Sequence, residues 1–336
     1  MKTNTSIIPI FLPQAGCPNQ CIFCNQRAIT GTKKDNILSE DDLISEVEKF
    51  LNFSNKKKFV QISFYGGNFL GLSKDHIKNL LSAASQFINN RKVESIRFST
   101  RPDTINKENL DLIKNYPVKT IEIGVQSMDD NVLLNSKRGH TAQDTINAAN
   151  LIKNYGFETG FQIMIGLPGE SKNSDKITCE EIIKLKPDFI RIYPTLVIKN
   201  SPLYKMFQQK KYIPLSLETA VERTKNIYQI ACSNNIEIIR MGLQASHDFE
   251  KNYIISGPYH PSFGHLVLSK IFLDKCIELI ANHCKKDIIF LVHSKSESKI
   301  RGIKNNNFII LKEKFNLNSI KIIKDDSLKE LDVFLN

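Results

Sequence analysis

Three cysteines fall within eight residues of one another, in Gly16-Cys17-Pro18-Asn19-Gln20-Cys21-Ile22-Phe23-Cys24, a C-x3-C-x2-C run. Zinc sites use four ligands, commonly as paired C-x2-C knuckles. Ferredoxin runs supply four cysteines per cluster. Three cysteines in one compact loop, with no evident fourth, suit a 4Fe–4S cluster that keeps one iron open to a ligand. A degraded zinc site or plain core cysteines are the blander readings. The chain has seven cysteines, an odd number, in 336 residues, which does not suit the disulfide framework of a small secreted domain. Cys276 and Cys284 lie eight apart on a helix-like segment and read as buried small residues.

Other residues with chemical potential recur at the ends of strand-like runs. Tyr65-Gly66-Gly67-Asn68 follows the run Phe59–Tyr65, and two glycines let a backbone approach a ligand closely. Gln126-Ser127 ends Thr120–Gln126, and Gly166-Leu167-Pro168-Gly169 ends Gly160–Ile165. Tyr193 ends another such run, where an aromatic faces either substrate or core. His260, in Gly257-Pro258-Tyr259-His260-Pro261, reads as a structural histidine or a substrate neighbour.

The elements that must position these residues alternate. Strand-like runs at 6–12, 59–65, 95–99, 120–126, 160–165, 189–193 and 236–241 are separated by amphipathic segments. These include 39–53, which opens on a near capping box of Ser39 and Asp42. Such alternation predicts parallel βαβ units, with the chemistry at the carboxyl ends of the strands. The fold expected is α/β, a partial (β/α)6 TIM-like barrel over residues 1–245. After 245 the pattern changes, and residues 246–336 are expected to form a small C-terminal α+β extension. Its strand–helix–strand order loosely resembles a KH unit. It lacks the G-x-x-G loop that clamps a nucleic-acid backbone, and a cap packed on the barrel is the other reading.

Composition bounds the rest. Forty-six Lys and Arg against 35 Asp and Glu give a net charge of +11, spread in short runs such as Lys56-Lys57-Lys58 and Lys210-Lys211. That balance is compatible with a polyanionic partner and equally with solvated faces. No stretch has 18 consecutive apolar residues, so no membrane span is expected. No signal-peptide pattern is visible, and a cytoplasmic protein is the expectation.

The cysteine run, with Phe23 just before its last cysteine, resembles the radical S-adenosylmethionine (radical SAM) superfamily, whose motif is C-x3-C-x-aromatic-C. The resemblance implies that Cys17, Cys21 and Cys24 hold a 4Fe–4S cluster. Its open iron would bind the amino and carboxylate groups of S-adenosylmethionine, and reduction would release a 5′-deoxyadenosyl radical. It further implies that Gly66, Gly67 and Asn68 meet the methionine ammonium, with Asn68 in place of a commoner Glu. Gln126 and Ser127 would lie beside the adenosine, Arg138 would reach the carboxylate, and Gln162 would face the ribose. A guanidinium suits a carboxylate because it binds in two-pronged fashion. A flavodoxin or ferredoxin-type electron donor is implied as partner.

Within the superfamily, Ser99–Asp103, Glu122–Ser127, Lys137–Thr141 and Arg191–Ile198 occur in order and resemble the core of the Elongator catalytic subunit, which modifies tRNA. About 90 residues follow that core and show no acetyl-CoA-binding pattern, so the chain is similar to shorter, Elongator-like bacterial proteins. tRNA is the implied substrate. A small-molecule radical SAM enzyme, as in anaerobic porphyrin synthesis, and a non-catalytic Fe–S RNA-binding protein are the alternatives.

Overall fold

The computed structural model describes residues 5–18, 21–30, 38–53, 59–90, 92–243, 247–281 and 283–336. Seven strands form one all-parallel sheet: β1 (Thr5–Phe11), β2 (Phe59–Tyr65), β3 (Ser95–Thr100), β4 (Val118–Gln126), β5 (Glu158–Ile165), β6 (Phe189–Pro194) and β8 (Glu237–Met241). Their order is β1-β2-β3-β4-β5-β6-β8. β1 and β8 are the two edges, so the sheet is the partial TIM-like barrel that the alternation implies. A two-residue strand, β7 (Val197–Ile198), pairs antiparallel with β9 (Ile254–Ser256).

Apart from the edge strand β8, each strand buries one face under helices, and that is what makes its sequence apolar. Ile62, Phe64, Ile96, Phe98, Ile121, Ile123, Ile163 and Ile192 are all inaccessible or nearly so, and pack against helices such as Lys74–Asn89 and Ala142–Asn154. The phenyl rings of Phe64, Phe69 and Phe98 stack in sequence, with centroids 4.9 and 4.5 Å apart. Several helices of the barrel start at side-chain caps. Thr141 and Asp144 form a reciprocal capping box, as do Ser171 and Ser174. Each cap contributes about 1 kcal/mol.

The opposite face lines the lumen, and there the same strands are polar. Ser63, Tyr65, Arg97, Ser99, Glu122 and Arg191 alternate with the apolar set. Gly160 lies opposite Phe189, whose ring fills the place a Cβ would occupy, 2.2 Å away.

The extension is a three-stranded sheet, β11 (Ser319–Lys324), β10 (Asp287–Val292) and β12 (Val333–Leu335) in that order. β10 and β11 are parallel and β12 runs antiparallel to β10. The helix Phe263–Ala281 serves both cores. Phe263, Val267 and Ile271 pack into the barrel core, and Phe272, Cys276 and Ile280 into that of the extension. The extension thus packs on the barrel through one continuous helix. The expected boundary between residues 245 and 246 lies outside the described residues. Cys276 is buried as expected. Cys284 is not: the helix ends at Ala281, and Cys284 is exposed in the loop beyond.

Candidate active site

The cysteine loop leaves β1 at the carboxyl rim of the sheet. Backbone bonds fasten it to the loop after β2: Leu12 N–H donates to Tyr65 O at 2.7 Å, Gln14 N–H to Gly66 O at 3.0 Å, and Asn68 N–H to Ala15 O at 2.8 Å. Gln14, Gly16 and Gly66 take φ values of 57°, 70° and 90°, so the two loops turn tightly against each other. Gly67 has no room for a side chain, since a Cβ would stand 2.5 Å from both the Leu12 and Ala15 carbonyl oxygens. Further along, Ile22 N–H donates to Ser136 O at 3.2 Å, and Leu203 N–H donates to Ile22 O at 2.7 Å.

The side chain of Asn68, fully buried, is the central tie. Its Nδ2 donates to Gly16 O at 2.8 Å. Its Oδ1 accepts from Thr100 Oγ1 at 2.7 Å, Thr104 Oγ1 at 2.9 Å and Arg101 N–H at 3.0 Å. Asn68 therefore joins the cysteine loop to the loop after β3, and its amide is spent on that task.

Cys21 is buried, Cys24 half-buried and Cys17 exposed at the rim. The three thiols are near enough to act on one another. Burial first, then the Cys21 and Cys17 thiols, push Cys24 up to about 12. Although Cys17 reaches solvent, the walls of its pocket and Cys21 raise it too, while Arg101 and Arg138 pull it down. Among the described residues, no three His, Cys, Asp or Glu side chains close on one point as ligands of a single metal ion do.

Arg138 is 6% exposed and reaches this loop from the opposite side. Its Nη1 donates to Cys21 Sγ at 3.0 Å and its Nη2 to Gly124 O at 2.6 Å. Gly124 makes room for it, because a Cβ there would lie 3.2 Å from Nη2 and 3.0 Å from Gln126 Nε2. Gln126, buried at the end of β4, has φ 66° and shifts the β4–β5 register between Gly124 and itself. Such a bulge re-aims the residues at a strand end. Gln126 is thereby brought beside Arg138. Ser127 is not: its hydroxyl lies 3.3 Å from Thr178 Oγ1 and accepts from Asp129 N–H at 3.1 Å.

Gln162 projects into the lumen one layer below the rim. Its Nε2 donates to Ser99 Oγ at 3.0 Å and to Glu122 Oε2 at 2.9 Å. Glu122 is the centre of a network that sequence reasoning missed. Its Oε1 accepts from Tyr65 Oη at 3.1 Å, Arg97 Nη1 at 3.2 Å and Arg191 Nη2 at 3.1 Å. Two guanidiniums thus flank one carboxylate that is inaccessible to solvent. The signal was present, since all three charged residues alternate with the apolar residues of their strands and so share one face of the sheet.

Two buried guanidinium nitrogens at the rim lack partners among the described residues, Arg138 Nε and Arg101 Nη1. Burial first, then Arg138 and Arg101, push the His140 imidazole down to about 3. Buried polar groups are nearly always satisfied, so unsatisfied donors beside three thiols fit a bound group that carries negative charge. A cluster on three thiolates and the carboxylate of S-adenosylmethionine both have that character.

The fold and rim define the chain's class: an α/β half-barrel enzyme with a three-cysteine loop at its carboxyl rim. A model of the radical SAM superfamily matches residues 11–182, and one of the radical SAM C-terminal domain matches residues 187–272. The chain belongs to the radical SAM superfamily. Among curated proteins it is 26% identical over 306 residues to the tRNA uridine(34) acetyltransferase of Methanocaldococcus jannaschii, covering 79% of this chain and 55% of that one. It is 30% identical over 200 residues to Elongator complex protein 3 of Danio rerio, covering 53% and 36%. The chain therefore spans about half the length, or less, of these relatives. The archaeal Elp3 of Methanocaldococcus infernus shares the fold, with a TM-score of 0.63 at 22% identity over 85% of this chain and 65% of that one.

No helix among the described residues is long and apolar enough to cross a membrane.

Proposed function

We propose that this protein reductively cleaves S-adenosylmethionine at a 4Fe–4S cluster held by Cys17, Cys21 and Cys24, and that its substrate is tRNA. The observation that carries the first half is the rim itself. Three mutually interacting thiols stand among buried guanidinium donors that have no partner among the described residues. When bound, the cluster and S-adenosylmethionine supply a 5′-deoxyadenosyl radical for hydrogen abstraction.

The chain's own residues bind, orient and shield. The Gly66-Gly67 backbone approaches the methionine end, where a Cβ at Gly67 would collide with the cysteine loop. Gln126, at the end of β4, and Arg138, beyond the helix Asp130–Asn135, stand together beside Gly124. Asn68 acts by fixing the cysteine loop, Ser127 by fixing the loop after β4 to Thr178, and Gln162 by linking Ser99 to Glu122 beneath the site. The buried Phe64, Phe69 and Phe98 stack keeps water from the far side of this wall.

The tRNA reading is supported by the names of the aligned relatives and by the net charge of +11. The reaction is placed in the cytoplasm, with a flavodoxin or ferredoxin-type protein as electron donor. The test is binding of bulk tRNA to the iron-loaded protein across a salt series, together with 5′-deoxyadenosine formation with and without that tRNA. We expect binding that weakens steeply with salt and a faster cleavage when tRNA is present. Absence of binding at low salt, with cleavage unchanged by tRNA, overturns the substrate assignment.

A further inference from the structure

Arg138 occupies an unusual piece of backbone. The helix Asp130–Asn135 has ended, Lys137 takes φ 51° and Gly139 takes φ 69°. These two left-handed residues flank Arg138 and turn it inward, where its N–H donates to Leu133 O at 3.0 Å. The guanidinium then bonds one thiol of the three, Cys21, at 3.0 Å. That thiol is the buried one.

Arg101, the other cation felt by these thiols, is compensated. Its Nε and Nη2 donate to the two carboxylate oxygens of Asp103 at 2.9 and 2.8 Å. Arg138 has no carboxylate partner among the described residues. Its remaining bond goes to a neutral carbonyl, Gly124 O. The uncompensated charge therefore falls on Cys21.

We infer that Arg138 sets the reduction potential of the Fe–S cluster by hydrogen-bonding the Cys21 thiolate. The inference rests on the assignment of that cluster to Cys17, Cys21 and Cys24. Reduction adds one electron, taken from an external low-potential donor, to a group already negative. An N–H···S bond and a buried positive charge stabilise the more negative state, so they raise the potential. Arg138 is a positioning residue in this sense, since it acts through Cys21. Its Nε is the guanidinium nitrogen left without a partner among the described residues, so contact with a carboxylate need not displace the bond to sulfur.

The test is a dithionite titration of the reconstituted protein, read by cluster absorbance and electron spin resonance, with no S-adenosylmethionine present. Wild type is compared with Arg138→Gln, Arg101→Gln and Gly124→Ala. Arg138→Gln is expected to make reduction about tenfold less favourable, a fall of about 59 mV for one electron. Arg101→Gln is expected to change it less, because Asp103 already offsets that charge. Gly124→Ala keeps Arg138 but crowds its Nη2, and is expected to shift the potential the same way by a smaller amount. If Arg138→Gln takes up no iron, Gly124→Ala decides. A loaded Arg138→Gln, or in its place a loaded Gly124→Ala, with the wild-type potential overturns the inference while leaving the cluster assignment standing. A wild-type protein that takes up no iron overturns the cluster assignment itself, and the inference with it.

Discussion

Asn68 donates its side-chain amide to the carbonyl of Gly16 at 2.8 Å, and so fastens the residue before Cys17 to the loop that follows β2. The same side chain accepts from Thr100, Arg101 and Thr104. One buried amide thereby holds the relative positions of three rim loops, from β1, β2 and β3.

Replacing Asn68 tests that role. Asn68→Ala leaves a buried carbonyl, an N–H and two hydroxyls without their partner, a loss of about 2–3 kcal/mol. Urea unfolding should show it as an earlier midpoint with an unchanged slope. Asn68→Asp should be worse at the cysteine loop, because a carboxylate oxygen would face the Gly16 carbonyl. Iron uptake should fall further in Asn68→Asp than in Asn68→Ala.

Gly67→Ala separates the site from the sheet. A methyl there would stand 2.5 Å from two backbone oxygens of the cysteine loop, so the loop must move. The phenylalanine stack and the sheet are behind it and should survive. We expect circular dichroism close to wild type, with iron bound per chain reduced several-fold.

The strands and the cysteine loop were legible in the sequence, and for physical reasons. β2 was read with its observed bounds, Phe59–Tyr65, and β5 with its observed end, Ile165, because each is a short, largely apolar run that stops at a glycine. Gly66, with φ 90°, stops the first. The three cysteines declared themselves by spacing. What escaped were features created by distance in sequence. β7, β9 and β12 span only two or three residues and exist because a partner strand is present. The exposure of Cys284 depends on where a helix stops, and no glycine or proline marks that end. The roles of Asn68, Ser127 and Gln162 depend on which neighbour each meets, Gly16, Thr178 or Glu122, and spacing along the chain does not reveal that.

Glu122 offers a test of the lumen. It is inaccessible and compensates Arg97 and Arg191, whose guanidiniums also lie over the Phe189 and Tyr65 rings at 5.0 and 5.6 Å. Glu122→Leu leaves two buried cations facing each other. Removing one partner of a buried pair costs about 3–5 kcal/mol. Chemical denaturation should register a loss in that range, whereas Lys49→Ala, an exposed pair with Glu46, should change stability by less than about 0.5 kcal/mol.

His140 predicts an acid sensitivity. Its imidazole protonates near 6.5 in the unfolded chain and, because burial and then Arg138 and Arg101 oppose the charge, only at about 3 when folded. Between those values the unfolded chain binds the extra proton, so this contribution is complete above 6.5 and lost as pH falls. From pH 7.5 to pH 5 the loss is about 2 kcal/mol, at 1.36 kcal/mol per pH unit below 6.5. Urea unfolding of the iron-free protein at the two pH values should show a smaller difference in His140→Gln than in wild type.

The central claim is that Cys17, Cys21 and Cys24 hold the group that cleaves S-adenosylmethionine. Its most direct test is anaerobic: protein loaded with iron and sulfide, reduced with dithionite, given S-adenosylmethionine and bulk tRNA, and assayed for 5′-deoxyadenosine. We expect product from wild type and none from Cys17→Ala, Cys21→Ala or Cys24→Ala. Undiminished product in any one of those variants, or none from the iron-loaded wild type, would contradict the assignment.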